Sequence, residues 1–284
     1  MKLPAGLADM KQRKNIVTLA LCQMKVGLGR VAENIRTAES MIARAAERGA
    51  DAAVLPEMWP TGFDFSRMDE YGRSAELKGL SKRISRLARA LKVHVAAGSW
   101  LHFTRDGKKP GALNRAHFFA KDGRPVAHYD KIHLFPPMLE DRFLRPGRRP
   151  RVFNSILGRT ATAICFDLRF PELFRTCALK GAAFFVINAA WPAERVDMML
   201  ELARARAIEN QCFVALANCC GKTGKEVFGG RSCIFAPSGR TVFIAPAKRS
   251  GVYLAKVDLA EVPRARKAFP ALKYYRRDIK WLRR

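Results

Sequence analysis

Residues 160–172 read TATAICFDLRFPE, and this stretch decides the fold. Thr160 to Phe166 has the length and apolar character of a buried strand, and Pro171 opens a segment running to Lys180 with helical spacing of its apolar residues. A strand that feeds a helix through a turn of a few residues is half of a parallel β-α unit. The turn then lies at the carboxyl edge of a sheet, where open α/β sheets hold their chemistry, and here it carries Cys165.

The same alternation extends in both directions. Further strands are predicted at Ile16 to Met24, Ala52 to Leu55, Val93 to Ser99, Arg115 to Ala120, Pro125 to Tyr129, Ala183 to Asn188, Phe213 to Asn218, Ser232 to Ala236, Thr241 to Ala245 and Val252 to Val257. Helices are predicted at Val31 to Arg48, Leu80 to Leu91, Arg195 to Asn210 and Leu259 to Lys267. Asp122-Gly123 and Ser238-Gly239 suit hairpin turns, so the sheets must be mixed. No Gly/Ser/Pro-rich linker interrupts the chain, and a single α/β domain is expected over residues 1–284.

At 49% hydrophobic and 27% charged residues, the composition excludes a disordered chain. The longest nearly apolar stretch, Ala182 to Ala193, contains Asn188 and falls short of the ~18 to 20 residues that span a bilayer, so no membrane helix is expected. Charged residues between Asp9 and Lys14 break any apolar core of signal-peptide length, which leads to a cytoplasmic expectation. Seven scattered cysteines, an odd number, read as reduced thiols, most of them small buried hydrophobes.

Cofactor motifs are weak. The five histidines show no paired ligand spacing, so no metal is expected. Gly27-Leu28-Gly29-Arg30-Val31-Ala32 has the G-x-G-x-x-A form of a dinucleotide loop, but the acidic Asp51 precedes the second strand instead of ending it. These glycines read as a tight strand-to-helix turn, and no cofactor is expected. The net charge of +27 includes five arginines from Arg142 to Arg151 and six basic residues in the tail KYYRRDIKWLRR. Such patches can hold polyanions, yet no nucleic-acid motif accompanies them, and a solvated basic surface is the reading taken.

Three loops that each follow a strand carry one reactive residue apiece: Glu57 in AVLPEMWPTGF, Lys131 in AHYDKIHLF and Cys165. Each alone has a bland explanation; together they supply a nucleophile, a base to take its proton, and a cation for the thiolate and the oxyanion that follows. Arg169, four residues past the cysteine, either reaches back over the pocket to meet a carboxylate or pairs with Asp167 or Glu172. Phe63, Phe166 and Trp191 are the candidate apolar wall.

These segments resemble the nitrilase superfamily of carbon-nitrogen hydrolases. PEMWPTGF resembles its glutamate motif, DKIHLF its lysine motif, ICFDLRFPELFR its cysteine motif and ARAIENQCFVALAN a later helix and strand, while EDRFLRPG places Glu140 where amidase members carry a second glutamate. The resemblance implies a four-layer α-β-β-α sandwich with two mixed sheets, a Glu57, Lys131, Cys165 triad and Glu140 as auxiliary carboxylate. Phe166-Asp167 after the cysteine is similar to the omega-amidase and Nit-type amidases, where nitrile-cleaving members typically have Trp-Glu. Many relatives carry His-Trp where this chain has Met198-Met199.

The implied reaction is hydrolysis of a small, carboxylated amide through a cysteine thioester, with release of ammonia and without a cofactor. The resemblance also implies a homodimer, with residues 263–284 packing on the partner through Tyr274, Tyr275 and Trp281. Two alternatives stand beside it: an N-carbamoyl-amino-acid hydrolase, and a polyanion-binding protein on an inactive hydrolase scaffold.

Overall fold

Along β1 (Ile16–Gln23), Leu19 and Leu21 point to one face and Ala20 and Cys22 to the other, and both sets are buried. A strand buried on both sides belongs to a sheet covered on both faces. The computed structural model describes residues 15–104 and 111–276. In it β2 (Ala52–Val54), β3 (His94–Thr104), β4 (Gly111–Phe119), β5 (Pro125–Asp130) and β14 (Gly251–Asp258) join β1 in one six-stranded sheet ordered β14-β1-β2-β3-β4-β5.

The second sheet has β6 (Val152–Ser155), β7 (Gly158–Ile164), β8 (Phe184–Ala189), β9 (Phe213–Asn218), β12 (Cys233–Phe235) and β13 (Thr241–Ile244), ordered β13-β12-β9-β8-β7-β6. Read from β14 and from β6, both sheets follow one pattern: an antiparallel pair, two parallel pairs, then two antiparallel pairs. The predicted hairpins join β4 to β5 and β12 to β13, with Gly123 and Gly239 at positive φ.

Three apolar layers hold four layers of structure. Helices α1 (Val31–Glu47) and α3 (Ala75–Leu91) set Ile35, Ile42, Leu80 and Ile84 against the outer face of the first sheet. Helices α5 (Pro171–Leu179) and α6 (Val196–Asn210) set Phe174, Met199 and Ala203 against the second. Between the sheets lie Leu19, Leu21, Val54, Phe184, Val186 and Phe213. The fold is the expected α-β-β-α sandwich with two mixed sheets.

The structure corrects several boundaries. Helix α3 begins at Ala75 instead of Leu80, because the Ser74 side chain accepts the Leu77 N–H at 3.2 Å and caps the extra turn. Strand β7 stops at Ile164, and Cys165 opens a tight 3-10 turn with its φ at +46°. The helices α2 (Met68–Arg73) and α4 (Glu140–Phe143), the strand β6, and the hairpin of β10 (Cys220–Thr223) with β11 (Glu226–Gly229) escaped prediction. Asp51 accepts the Thr18 N–H at 2.8 Å, so it braces β1.

After α7 (Glu261–Ala268) the chain stays docked on the second sheet's side, with Gln211 Nε2 donating to the Phe269 carbonyl at 2.6 Å and Arg175 over the Tyr275 ring. Trp281, assigned above to the dimer contact, lies outside the described residues. Among the described residues no helix is long and apolar enough to cross a membrane.

Candidate active site

Glu57 leaves the end of β2 on a loop that a glycine makes possible. A Cβ at Gly98, whose φ is +68°, would lie 2.1 Å from the Pro56 carbonyl oxygen. Without one, β3 bulges close enough for Ser99 N–H to donate to that oxygen and for Ser99 Oγ to accept from Met58 N–H at 3.1 Å. The second sheet grips the same loop, with Asn188 Nδ2 donating to the Leu55 carbonyl at 2.7 Å.

Lys131 follows β5 and is pinned on both sides of its own peptide: its N–H donates to the Asn114 carbonyl at 2.9 Å, and its carbonyl accepts the Gly147 N–H at 2.7 Å. Gly147 also permits close approach, since a Cβ there would meet the Asp130 carbonyl at 2.1 Å. Glu140 opens α4 immediately after Leu139, which has a left-handed φ of +61°.

These backbones converge on one buried cluster. Lys131 Nζ donates to Glu57 Oε1 at 2.7 Å and to Glu140 Oε2 at 2.6 Å. Asn114 Nδ2 bridges the same carboxylates, at 2.9 Å from Glu57 Oε1 and 3.0 Å from Glu140 Oε1, and Phe135 N–H adds a bond to Glu140 Oε2 at 2.7 Å. Glu57, Lys131 and Glu140 are each at most 1% exposed. Every donor around Glu140 is thus matched, whereas Glu57 Oε2 has no hydrogen-bond partner.

Cys165 stands beside Glu57, and the two perturb each other's protonation. Burial and the nearby Glu140 raise the Glu57 carboxyl to about 7 against the opposing pull of Lys131. Burial and the Glu57 charge hold the Cys165 thiol well above its ordinary value, although Lys131 pulls the other way. Burial works against the charge on Lys131, but Glu140 and Glu57 more than offset it and keep the ammonium form. The resting arrangement is a neutral thiol next to a carboxyl balanced near neutrality, with a fixed cation behind both.

The cysteine turn is held by Asp167, which the sequence offered only as a subgroup marker or a partner for Arg169. Its Oδ2 accepts Tyr129 Oη at 2.7 Å and Ile164 N–H at 2.9 Å, and its Oδ1 accepts His133 N–H at 3.0 Å and lies 2.8 Å from His133 Nδ1. Asp167 has no capacity left for Arg169. The Arg169 guanidinium instead lies 5.2 Å from the Trp191 ring centroid and 6.0 Å from that of Phe166.

Phe166, Arg169 and Trp191 line one pocket with Cys165, together with Phe135 and Arg195. The cavity between these side chains holds about 20 Å³, room for about one water, far below the roughly 300 to 1,000 Å³ of pockets for drug-sized ligands. Phe63 is not among the lining residues and packs on Phe65 and Phe228. Asn114, Asp167 and Arg195 were missed from the sequence. For Asn114 a signal existed, since it falls in phase with the buried Ala112, Ala116 and Phe118 of β4, where a polar residue needs partners. Among the described residues no group of His, Cys, Asp or Glu is arranged to hold a metal ion.

Residues 18–267 match the carbon-nitrogen hydrolase family. The 2-oxoglutaramate amidase of Bacillus subtilis (strain 168) is 35% identical over 266 residues, covering 92% of this chain and 98% of its own. Omega-amidase NIT2 of Danio rerio is 30% identical over 271 residues, covering 92% and 95%. The crystal structure of Saccharomyces cerevisiae Nit3, a member of branch 10 of the nitrilase superfamily, aligns with a TM-score of 0.83 at 25% identity over 93% of this chain and 97% of that one. The chain belongs to the carbon-nitrogen hydrolase family of the nitrilase superfamily.

Proposed function

We propose that this hydrolase cleaves the terminal amide of a small carboxylated acyl amide through a thioester on Cys165. The observation that carries the proposal is the sharing of one small pocket by Cys165 and the Arg169 guanidinium, which forms no ion pair among the described residues.

Glu57 takes the Cys165 proton as sulfur attacks the amide carbonyl. The Lys131 ammonium and the Phe166 backbone N–H hold the oxyanion. Glu57 then gives its proton to the leaving nitrogen, ammonia departs, and water enters. The same carboxylate serves as base for thioester hydrolysis. A carboxyl balanced near 7 suits both directions of proton transfer. Glu140 and Asn114 fix Lys131 and Glu57 without themselves moving protons.

Arg169 meets the substrate's far carboxylate, and Phe166 and Trp191 flank the acyl chain. An omega-amide of a 2-oxo dicarboxylic acid fits this chemistry, and the name of the Bacillus subtilis relative points to the same class. The chain acts as one domain and as a homodimer through its C-terminal segment. Phe269 and Tyr274, 72% and 73% exposed, support the dimer. Seven free, buried cysteines support a reducing, cytoplasmic setting.

The test is kcat/KM on monoamides of dicarboxylic acids against neutral aliphatic amides and N-carbamoyl amino acids, with ammonia and carbon dioxide both measured. Faster release of ammonia alone from the acidic amides is expected. Preference for neutral amides, or carbon dioxide with the ammonia, would overturn the substrate class.

A further inference from the structure

The arginine run that follows α4 takes no part in the chemistry of Cys165, yet the fold gathers it around a cleft of its own. The cleft measures about 630 Å³, within the roughly 300 to 1,000 Å³ of small-ligand sites, and shares no lining residue with the cysteine pocket. Arg148, Arg149 and Arg151 line it, together with His128 and Asp130 of β5. The three arginine side chains form no ion pair or hydrogen bond among the described residues. Asp130 is the one carboxylate in the wall, and both its oxygens already accept from Arg115, at 2.6 and 3.0 Å. Arg145 lies across Gly111 and has contacts of its own. His128 registers the resulting field: burial and the Arg115 and Arg151 charges hold its imidazole below the ordinary value, against the pull of Asp130. The loop is fastened at its root, where Arg145 N–H donates to the Ala112 carbonyl at 2.8 Å and Gly147 N–H to the Lys131 carbonyl at 2.7 Å. Guanidiniums held around one cleft without an anion repel one another, and an anion that enters relieves that repulsion.

We propose that this cleft binds a small polyphosphate, a chain of two or three linked phosphates, free or carried on a nucleoside. The guanidinium fork matches phosphate oxygens in pairs, and three unpaired cations call for more negative charge than one carboxylate or one monophosphate carries. A polynucleotide fits less well. Its phosphates lie along an extended surface, whereas Arg148, Arg149 and Arg151 share one cleft, and Arg142 of the same run is not in its wall. The site is separate from the amide chemistry. Lys131 follows the β5 wall directly but gives its ammonium to Glu57 and Glu140, so binding in the cleft uses no group of the catalytic cluster.

The experiment is calorimetric titration of the full chain, without divalent metal, with inorganic tripolyphosphate, adenosine triphosphate, inorganic phosphate and a duplex oligonucleotide. Tripolyphosphate should bind once per chain, more tightly than phosphate, and more weakly as salt is raised. Arg148→Ala, Arg149→Ala and Arg151→Ala should each weaken it roughly three- to tenfold, and the triple variant should lose it while hydrolysing amides as the wild type does. A control triple, Arg36→Ala, Lys82→Ala and Arg86→Ala, removes the same charge from exposed positions on α1 and α3 and should bind as the wild type does. Arg169→Met should also leave binding unchanged. Tighter binding of adenosine triphosphate makes the ligand a nucleotide, and equal binding makes it the phosphate chain alone. Equal losses in the two triple variants would reduce the effect to net charge and overturn the site. Binding lost in Arg169→Met but kept in the arginine-loop triple would place the anion in the cysteine pocket. An oligonucleotide held more tightly than tripolyphosphate through Arg148, Arg149 and Arg151, or no tripolyphosphate binding at low salt, would equally overturn the proposal.

Discussion

The Tyr129 hydroxyl donates to Asp167 Oδ2 at 2.7 Å, tying the strand that delivers Lys131 to the turn that delivers Cys165. The bond joins the edge of one sheet to the carboxyl end of a strand in the other. Cys165 is held at φ +46°, a region costly for a residue with a side chain, and Asp167 supplies the Ile164 N–H anchor that keeps it there.

Asp167→Ala strands the Tyr129, Ile164 and His133 donors at once. Each buried unsatisfied group costs about 1 to 3 kcal/mol, so urea unfolding should show a loss larger than that of Tyr129→Phe, which removes a single bond. Turnover should fall in the same order. Equal stability of the two variants would show that the turn is held by other contacts.

The Glu57 carboxyl, raised to about 7, sets the acidic limb of the pH profile. kcat/KM should rise as pH increases through about 7, because only the ionised carboxylate can take the thiol proton. The folded chain keeps this proton up to about pH 7 while the unfolded chain releases it near 4.5, so the Glu57 contribution to stability is lost as pH rises across that window. Removing the Asn114 amide in Asn114→Leu withdraws a hydrogen bond from ionised Glu57 and should move the limb to higher pH. A limb near the ordinary glutamate value, unmoved in that variant, would dissociate it from Glu57.

Glu140→Gln is not a gentle change at this site. Both Glu140 oxygens accept from donors, namely Lys131 and Phe135 on Oε2 and Asn114 on Oε1, so a Gln amide group must face one of them. Lys131 then loses its position, and kcat should drop by roughly two to three orders of magnitude, the range for loss of an oxyanion donor. Iodoacetamide labelling of Cys165, the most exposed cysteine at 8%, should partly survive. Full activity would remove Glu140 from the site.

Arg169→Met should reduce kcat/KM for acidic amides by roughly ten- to a hundredfold and spare neutral ones, since a charge-assisted contact contributes about 1.5 to 3 kcal/mol. Equal losses for both substrates would assign Arg169 to the scaffold through its stacking on Trp191.

Apolar runs such as Phe213–Asn218 and Phe184–Ala189 announced the sheets, because strands buried on both faces leave an uninterrupted signal. The hairpin Cys220–Gly229 gave none: its short strands carry Gly221, Lys222, Glu226 and Gly229, and contacts to other parts of the chain hold it, with Cys220 N–H donating to Met24 and Gly229 N–H to Trp191. Glu57, Lys131, Cys165 and Glu140 were legible because each sits in a distinctive local motif. The residues that organise them were not, since Asn114 and Asp167 act through partners 57 and 38 positions away. Arg195 was passed over as the start of a helix, where charge is ordinary. Only the fold shows it facing the same pocket as Cys165.

The central claim is a covalent acyl enzyme on Cys165, and the intact mass of rapidly quenched protein tests it most directly. Mixed with an omega-amide substrate, the wild-type protein should gain the mass of the amide less ammonia. Peptide mapping should place that gain on Cys165, and Cys165→Ala should show neither adduct nor ammonia release. An adduct on Cys219 or another cysteine, or continued turnover by folded Cys165→Ala, would contradict the account.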